Sequence, residues 1–450
     1  MGRRRALVRW VEVARARIPL PGKFKRRLVA LRDYLFFVYG SEWKVVTGLA
    51  LTVLGFVTGL LPLWVPAVLL VGTLLVMAHD VWEIYRRWSG VRLYNNRDHL
   101  DCFEFSGVVW GDAAGEFVSL PGVGARGDRA RIWLDPMVNE QLAAAAPGVG
   151  DLTVAPIEQP YRLPAELAEI SAQSLRRTAR PDASVDTRTR RPLWFNGRCA
   201  RLMTEPTAAS LQGSPFHFQP ATYFDGQCSN ELWHWSRDAP LREPCEQRLP
   251  RPHVVDAQGR LLSLGQARVA NVVGITLIAR TSDDCVLMVV QTAENSVTPG
   301  GVAASSSGSL DWADVAGGPA QLREVLMRGM LRELHEEAAV EPHEVLGETA
   351  RVTSYFRWLS RGAKPEFTGY VELGVPSDVV VARSTTAAES LFTSRTLAVP
   401  AELLRHPSSR WGGDLSELLG HLEQRMGGPV EMGASTVTAW HAAAGYVTRQ

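Results

Sequence analysis

Residues 45–78 limit what this chain can fold into more than any other segment: thirty-four consecutive positions carry no charged side chain. A single straight helix of that length would measure about 51 Å, well beyond a hydrocarbon core of about 30 Å. Pro62 and Pro66 stand in the middle, where a helix is interrupted. The economical reading is a two-helix transmembrane hairpin over 43–88, with spans near 43–61 and 65–84 and a turn at 62–66. Trp43, Trp64, Trp82, Tyr85 and Trp88 fall where interfacial aromatics belong.

Charge flanks this segment on both sides. Residues 1–44 hold twelve basic side chains against Glu12, Asp33 and Glu42, a net +9. The whole chain is +1, so the other 406 residues carry −8. Residues 1–42 therefore read as a basic amphipathic arm suited to an anionic lipid surface. Arg86, Arg87, Arg92 and Arg97 follow the second span. The positive-inside rule then places both termini in the cytoplasm of a two-span protein of the cell (inner) membrane. Gly55 and Gly59 have the GxxxG spacing that lets membrane helices approach closely. Packing of the two spans on each other and homo-oligomerisation both fit that spacing.

The remainder has a globular character. At 46% hydrophobic and 21% charged residues, whole-chain disorder and collagen-like classes are excluded. Five scattered cysteines without a CxxC argue for reduced thiols rather than a disulfide framework. Residues 98–265 alternate short apolar runs (108–110, 131–134, 192–195, 216–218) with turn residues and read as a β-rich or mixed unit of unknown role, with a helix at 163–177. The aromatic run 223–235 reads as core, with a ligand-stacking role as the alternative. Cys199, His217, Cys228 and His234 match no zinc-ligand spacing. Residues 272–278 and 286–290 read as a hairpin, 294–309 as a flexible insertion, and 401–450 as a C-terminal helical extension.

The most informative stretch is 318–340. Leu322, Val325, Leu326, Met330 and Leu334 recur at helical spacing. Glu333, Glu336 and Glu337 stand at i, i+3 and i+4, so three carboxylates share one helical face. A hard divalent cation relieves the repulsion among them. Arg332 can pair with Glu336 one turn on, and Gly318 permits a close backbone approach to metal or phosphate.

Gly318, Glu324, Arg332, Glu333, Leu334, Glu336, Glu337 and Val340 fall at the positions of the Nudix box, which this stretch resembles. The one departure is Ala339, where the family has glycine; Pro342 offers another helix stop. The resemblance covers about residues 268–400 and implies an α/β/α sandwich, so the expected fold class is α+β: a Nudix sandwich and a β-rich middle unit behind a transmembrane hairpin. It also implies Mg2+- or Mn2+-dependent hydrolysis of a nucleoside diphosphate-linked compound or nucleotide. By position, Glu336 and Glu337 would be metal ligands, Glu333 a ligand or general base, Arg332 its orienting partner, Glu324 a supporting hydrogen-bond partner and Gly318 part of the metal loop. Glu366, Glu372 and Glu389 are candidates for a further carboxylate.

A Nudix unit behind a two-span hairpin is similar to the membrane effectors of cyclic-oligonucleotide antiphage systems (CBASS). That likeness implies a second function, in which the cleft senses a cyclic oligonucleotide and the hairpin is the output. A housekeeping pyrophosphohydrolase is a third. No nucleic-acid partner is expected.

Overall fold

The computed structural model describes residues 92–95, 105–110, 115–120, 130–144, 152–178, 196–237, 251–292, 300–317, 320–383, 393–404 and 415–449, with residue 37 and single positions from 64 to 82. The chain divides into two compact units, one of residues 1–81 and 191–196, the other of 82–190 and 197–450. In the first, Phe37 and positions 64, 65, 68, 71, 72, 75, 78 and 79 are helical, and Trp64, Val68, Val71 and Leu75 are exposed.

The expected fold class needs correction here. A mixed α+β fold with several sheets is observed, but no helix among the described residues is long and apolar enough to cross a membrane. An uncharged run specifies burial, whereas spanning also needs about 20 continuous helical residues. The longest described helix has 17 residues and is studded with charge. The transmembrane hairpin is therefore withdrawn from the architecture. Most of 43–88, Gly55 and Gly59 included, lies outside the described residues.

The second unit is built on a sheet that has nine strands among the described residues. Its members in chain order are β1 (Glu116–Leu120), β2 (Ala130–Leu134), β3 (Gly274–Arg280), β4 (Cys285–Gln291), β5 (Val302–Ala303), β6 (Ser306–Ser309), β7 (Val345–Trp358), β8 (Lys364–Leu373) and β9 (Thr393–Pro400). The β-branched runs of β3 and β4 form the expected hairpin, closed where Arg280 faces Val286. Asp284 turns it in the left-handed region (φ 60°), which Asp tolerates because its short side chain bonds locally. Beyond that closure the two strands part company. β3 pairs with β6 on one side and, in parallel, with β8 on the other, while β4 pairs with β5 and β9. β8 continues antiparallel to β7, β7 to β2, and β2 to β1. Strands from 116–134 and from 274–400 thus share one sheet.

The two longest helices among the described residues, α2 (Leu322–Ala338) and, from the C-terminal segment, α3 (Ala434–Val447), pack on it, and the short helix α1 (Trp312–Val315) packs against α2. Alternation along the strands sorts their side chains between two cores. Ile275, Leu277 and Phe367 pack with Leu322, Val325, Leu326, Met330 and Leu334 of α2. Ile278, Phe356 and Tyr370 pack with Val437, Trp440 and Ala443 of α3. A helix therefore lies on each face of the sheet.

The 98–265 region contributes a smaller three-stranded sheet (Val154–Pro156, Phe216–Thr222, Arg198–Leu202). The helix read at 163–177 is two short helices, Ala165–Ala168 and Ser171–Thr178. Phe224 and Trp233 of the aromatic run are buried. The segment is tied to β7 through Glu205, whose carboxylate accepts from Arg357 Nη1 (2.6 Å), Tyr355 Oη (2.5 Å) and the Leu264 N–H (2.9 Å).

Candidate functional site

The site is assembled on the second half of α2. The helix begins at Gln321, whose N–H donates to the Glu324 carboxylate (3.2 Å) in a capping box. Glu324 thus makes its hydrogen bond to the helix start and not to the acidic face. The helix ends at Ala339, which takes the left-handed conformation (φ 53°, ψ 34°) while its N–H donates to His335 O (3.0 Å). This is the position where the Nudix box has glycine, and the alanine adopts the glycine-type geometry at a steric cost of about 1–2 kcal/mol.

Arg332 is the hub of the acidic face. Its Nη1 donates to Glu333 Oε1 (2.9 Å) and, more weakly, to Glu336 Oε2 (3.4 Å). Its other edge meets Asp314, with Nη2 to Oδ2 at 3.1 Å and Nε to Oδ1 at 3.5 Å, and Nη2 also reaches Ser309 O (3.3 Å). Burial alone would lower the affinity of this guanidinium for its proton. The neighbouring Glu333 and Asp314 reverse that and hold its pKa above the ordinary value.

The three glutamates have different surroundings. Glu337 is 4% exposed and accepts the Ser307 N–H at 2.8 Å. Glu333 is turned against Gly308, where a β-carbon would sit 2.4 Å from its carboxyl carbon. A side chain at this position would displace the Glu333 carboxylate from where it sits. Glu336 is the open member, with 36% of its side chain exposed. Beside them Asp311 opens α1 with a capping box, its N–H donating to Asp314 Oδ2 (3.0 Å). Burial pushes the Asp311 carboxyl up, and Asp314 and Glu336 add to this while Arg332 opposes it.

The further carboxylates are separated. Glu366 is buried and paired with Lys364 Nζ (2.6 Å). It lies opposite Gly274 in β3 and Phe356 in β7, so alternation turns it to the α3 side of the sheet. Gly308 lies opposite Ile275, on the α2 side. Glu372, six residues along β8 and roughly 20 Å away, pairs with Arg280 (3.3 Å). Gly318 and Glu389 lie outside the described residues.

Among the described residues no three His, Cys, Asp or Glu side chains converge as a ready metal-binding group. The donors at hand are nonetheless all carboxylate oxygens, the chemistry that Mg2+ and Mn2+ prefer, and Glu336 is open to solvent. In this arrangement Arg332 supplies the positive charge among them.

Reading by spacing alone missed Asp314, Ser307 and Gly308. A signal for Asp314 was present, since Asp311-Trp-Ala-Asp314 has the spacing of a capping box. The serine run containing Gly308 reads as an insertion because its strand pairing is with β3, some thirty residues earlier.

No protein-family profile matches the chain, and no curated protein sequence matches it. Among solved structures, the crystal structure of DR0079 from Deinococcus radiodurans is similar at 18% identity, covering 34% of this chain and 82% of that one with a TM-score of 0.20. A likeness at that score carries no argument about this chain.

Proposed function

We propose that the chain is a Mg2+- or Mn2+-dependent hydrolase of a phosphoanhydride in a nucleotide or nucleoside diphosphate-linked compound, resembling the Nudix hydrolases. The observation that carries this reading is the joint placement of Arg332, Glu333, Glu336 and Glu337 at box spacing on one turn-and-a-half of α2, with Gly308 held against Glu333.

Glu333, Glu336 and Glu337 are the residues that would hold the cation. When bound, it neutralises the diphosphate and lowers the pKa of a coordinated water. Arg332 fixes the Glu333 carboxylate through Nη1, and Glu333 would serve either as a ligand or as the base that accepts the proton of the attacking water. The new P–O bond forms on the water oxygen, the bridging P–O bond breaks, and the electron pair leaves with the departing phosphate. The Ser307 N–H orients Glu337 as a hydrogen bond from backbone to ligand does in metal sites.

The test is an assay of the full chain on a nucleotide panel with Mg2+, following release of a nucleoside monophosphate. Glu333→Gln is expected to lower kcat by about 10²- to 10⁴-fold, the range of a general base. No turnover of any compound, together with tight binding of a cyclic oligonucleotide, would instead favour the sensing role. The pairing of Arg332 with two of the three glutamates speaks for that second reading, since it leaves them partly neutralised without a metal.

A further inference from the structure

Asp314 has no place in the box, yet it makes the most extensive contact with the Arg332 guanidinium. It lies on α1, eighteen residues before Arg332, and its side chain is only 6% exposed. Two features hold it there. Its carboxylate accepts the Asp311 N–H, which fixes its rotamer at the start of α1. Its carbonyl accepts from Arg328 Nη1 at 2.8 Å, which ties α1 to the preceding turn of α2.

Gly329 stands where α1 approaches α2. A β-carbon there would lie 2.6 Å from Leu310 Cδ1, 2.9 Å from Ile275 Cδ1 and 3.1 Å from Asp314 Oδ2. Glycine inside a helix costs about 1 kcal/mol relative to alanine. Here it leaves room for the loop that delivers Asp314.

The edges of the guanidinium are divided by this geometry. Asp314 faces the Nε–Nη2 edge, and only Nη1 is left for Glu333 and Glu336. A guanidinium presents its strongest, two-pronged contact to a carboxylate through paired N–H groups. With that edge engaged, Arg332 touches the glutamates through a single nitrogen and does not cap them.

We infer that Asp314 is a positioning residue: it retains Arg332 on the α1 side, so that the guanidinium reaches Glu333 and Glu336 through Nη1 alone and competes less with a divalent cation for them. This rests on the proposed function. Without the Asp314 charge, Arg332 turns its paired N–H groups onto the glutamates and competes with the cation for them.

The experiment is Mn2+ binding to the full chain, read by electron paramagnetic resonance, with and without substitutions at the two positions. Asp314→Asn, close to isosteric, is expected to weaken binding about tenfold or more, the usual scale for an outer-shell partner. Arg332→Gln removes the competitor and is expected to tighten Mn2+ binding even as kcat falls. In the Arg332→Gln background, Asp314→Asn is expected to change nothing, because its effect passes through the arginine. An equal loss in both backgrounds overturns the inference, since Asp314 would then act as a ligand or through the fold. Should Asp314→Asn fail to fold, Arg332→Gln alone decides: unchanged or weaker Mn2+ binding overturns the inference. If the unaltered protein binds Mn2+ and hydrolyses a nucleotide while Asp314→Asn leaves affinity unchanged, this inference falls and the proposed function stands. If the unaltered protein binds no Mn2+, both fall together.

Discussion

Ala339, like Ala363, carries backbone strain among the described residues, because an L side chain at φ 53° is crowded by its own backbone. Ala339→Gly is therefore expected to stabilise the chain by about 1 kcal/mol, seen as a higher urea midpoint with an unchanged slope. Glu205 shows the opposite sensitivity. Burial pushes its carboxyl up, while Arg357, Tyr355 and the Leu264 N–H favour the ionised form. Arg357 is fully buried, so Glu205→Gln strands its charge; a loss of about 3–5 kcal/mol is expected in the same denaturation experiment. Neither site was legible beforehand. In the sequence Ala339 is a departure from a pattern, but the conformation it must adopt depends on where the chain goes next. Glu205 and Arg357 are 152 positions apart, and nothing local links them.

At the scale of elements, α2 was the legible one. Its apolar stripe and its acidic face are both set by the 3.6-residue period, a local property of the chain. β6 was not, since Ser306–Ser309 has neither β-branched residues nor an apolar alternation and takes its extended form from pairing with β3. Gly329 separates local preference from packing. Helix propensity alone predicts that Gly329→Ala stabilises α2 by about 1 kcal/mol. The contacts with Leu310 and Ile275 predict the reverse, at about 1–3 kcal/mol for overpacking, and we expect the packing to win. A lowered melting temperature in Gly329→Ala is the measurement; a raised one would show that α1 has room to withdraw.

Across the whole molecule, the sheet joins strands that the sequence places in separate units, and α3 seals one face of it. His441 of α3 is buried there, and burial pushes its pKa down to about 4 from an ordinary 6.5. The unfolded chain then binds the proton more readily than the folded one. The resulting stability is complete above about pH 6.5 and is lost as pH falls through the window down to 4, about 3 kcal/mol in all. His441→Leu should flatten the dependence of the urea midpoint on pH across that window. An unchanged slope would place the acid sensitivity elsewhere.

Contiguous periodicity is enough to specify an acidic, amphipathic helix within 318–340, the β-branched hairpin before it and a helical C-terminal segment. The sequence by itself did not determine a membrane-spanning hairpin: absence of charge measures hydropathy, and the length of continuous helix is a separate quantity. Only the folded chain brings Ser307 and Gly308 to Glu337 and Glu333, sets Asp314 on one edge of Arg332 and turns Glu366 to the other side of the sheet. Those outcomes depend on strand register and on the approach of two helices. Such contacts form between residues far apart in the chain, where spacing along the sequence carries no information about distance in space.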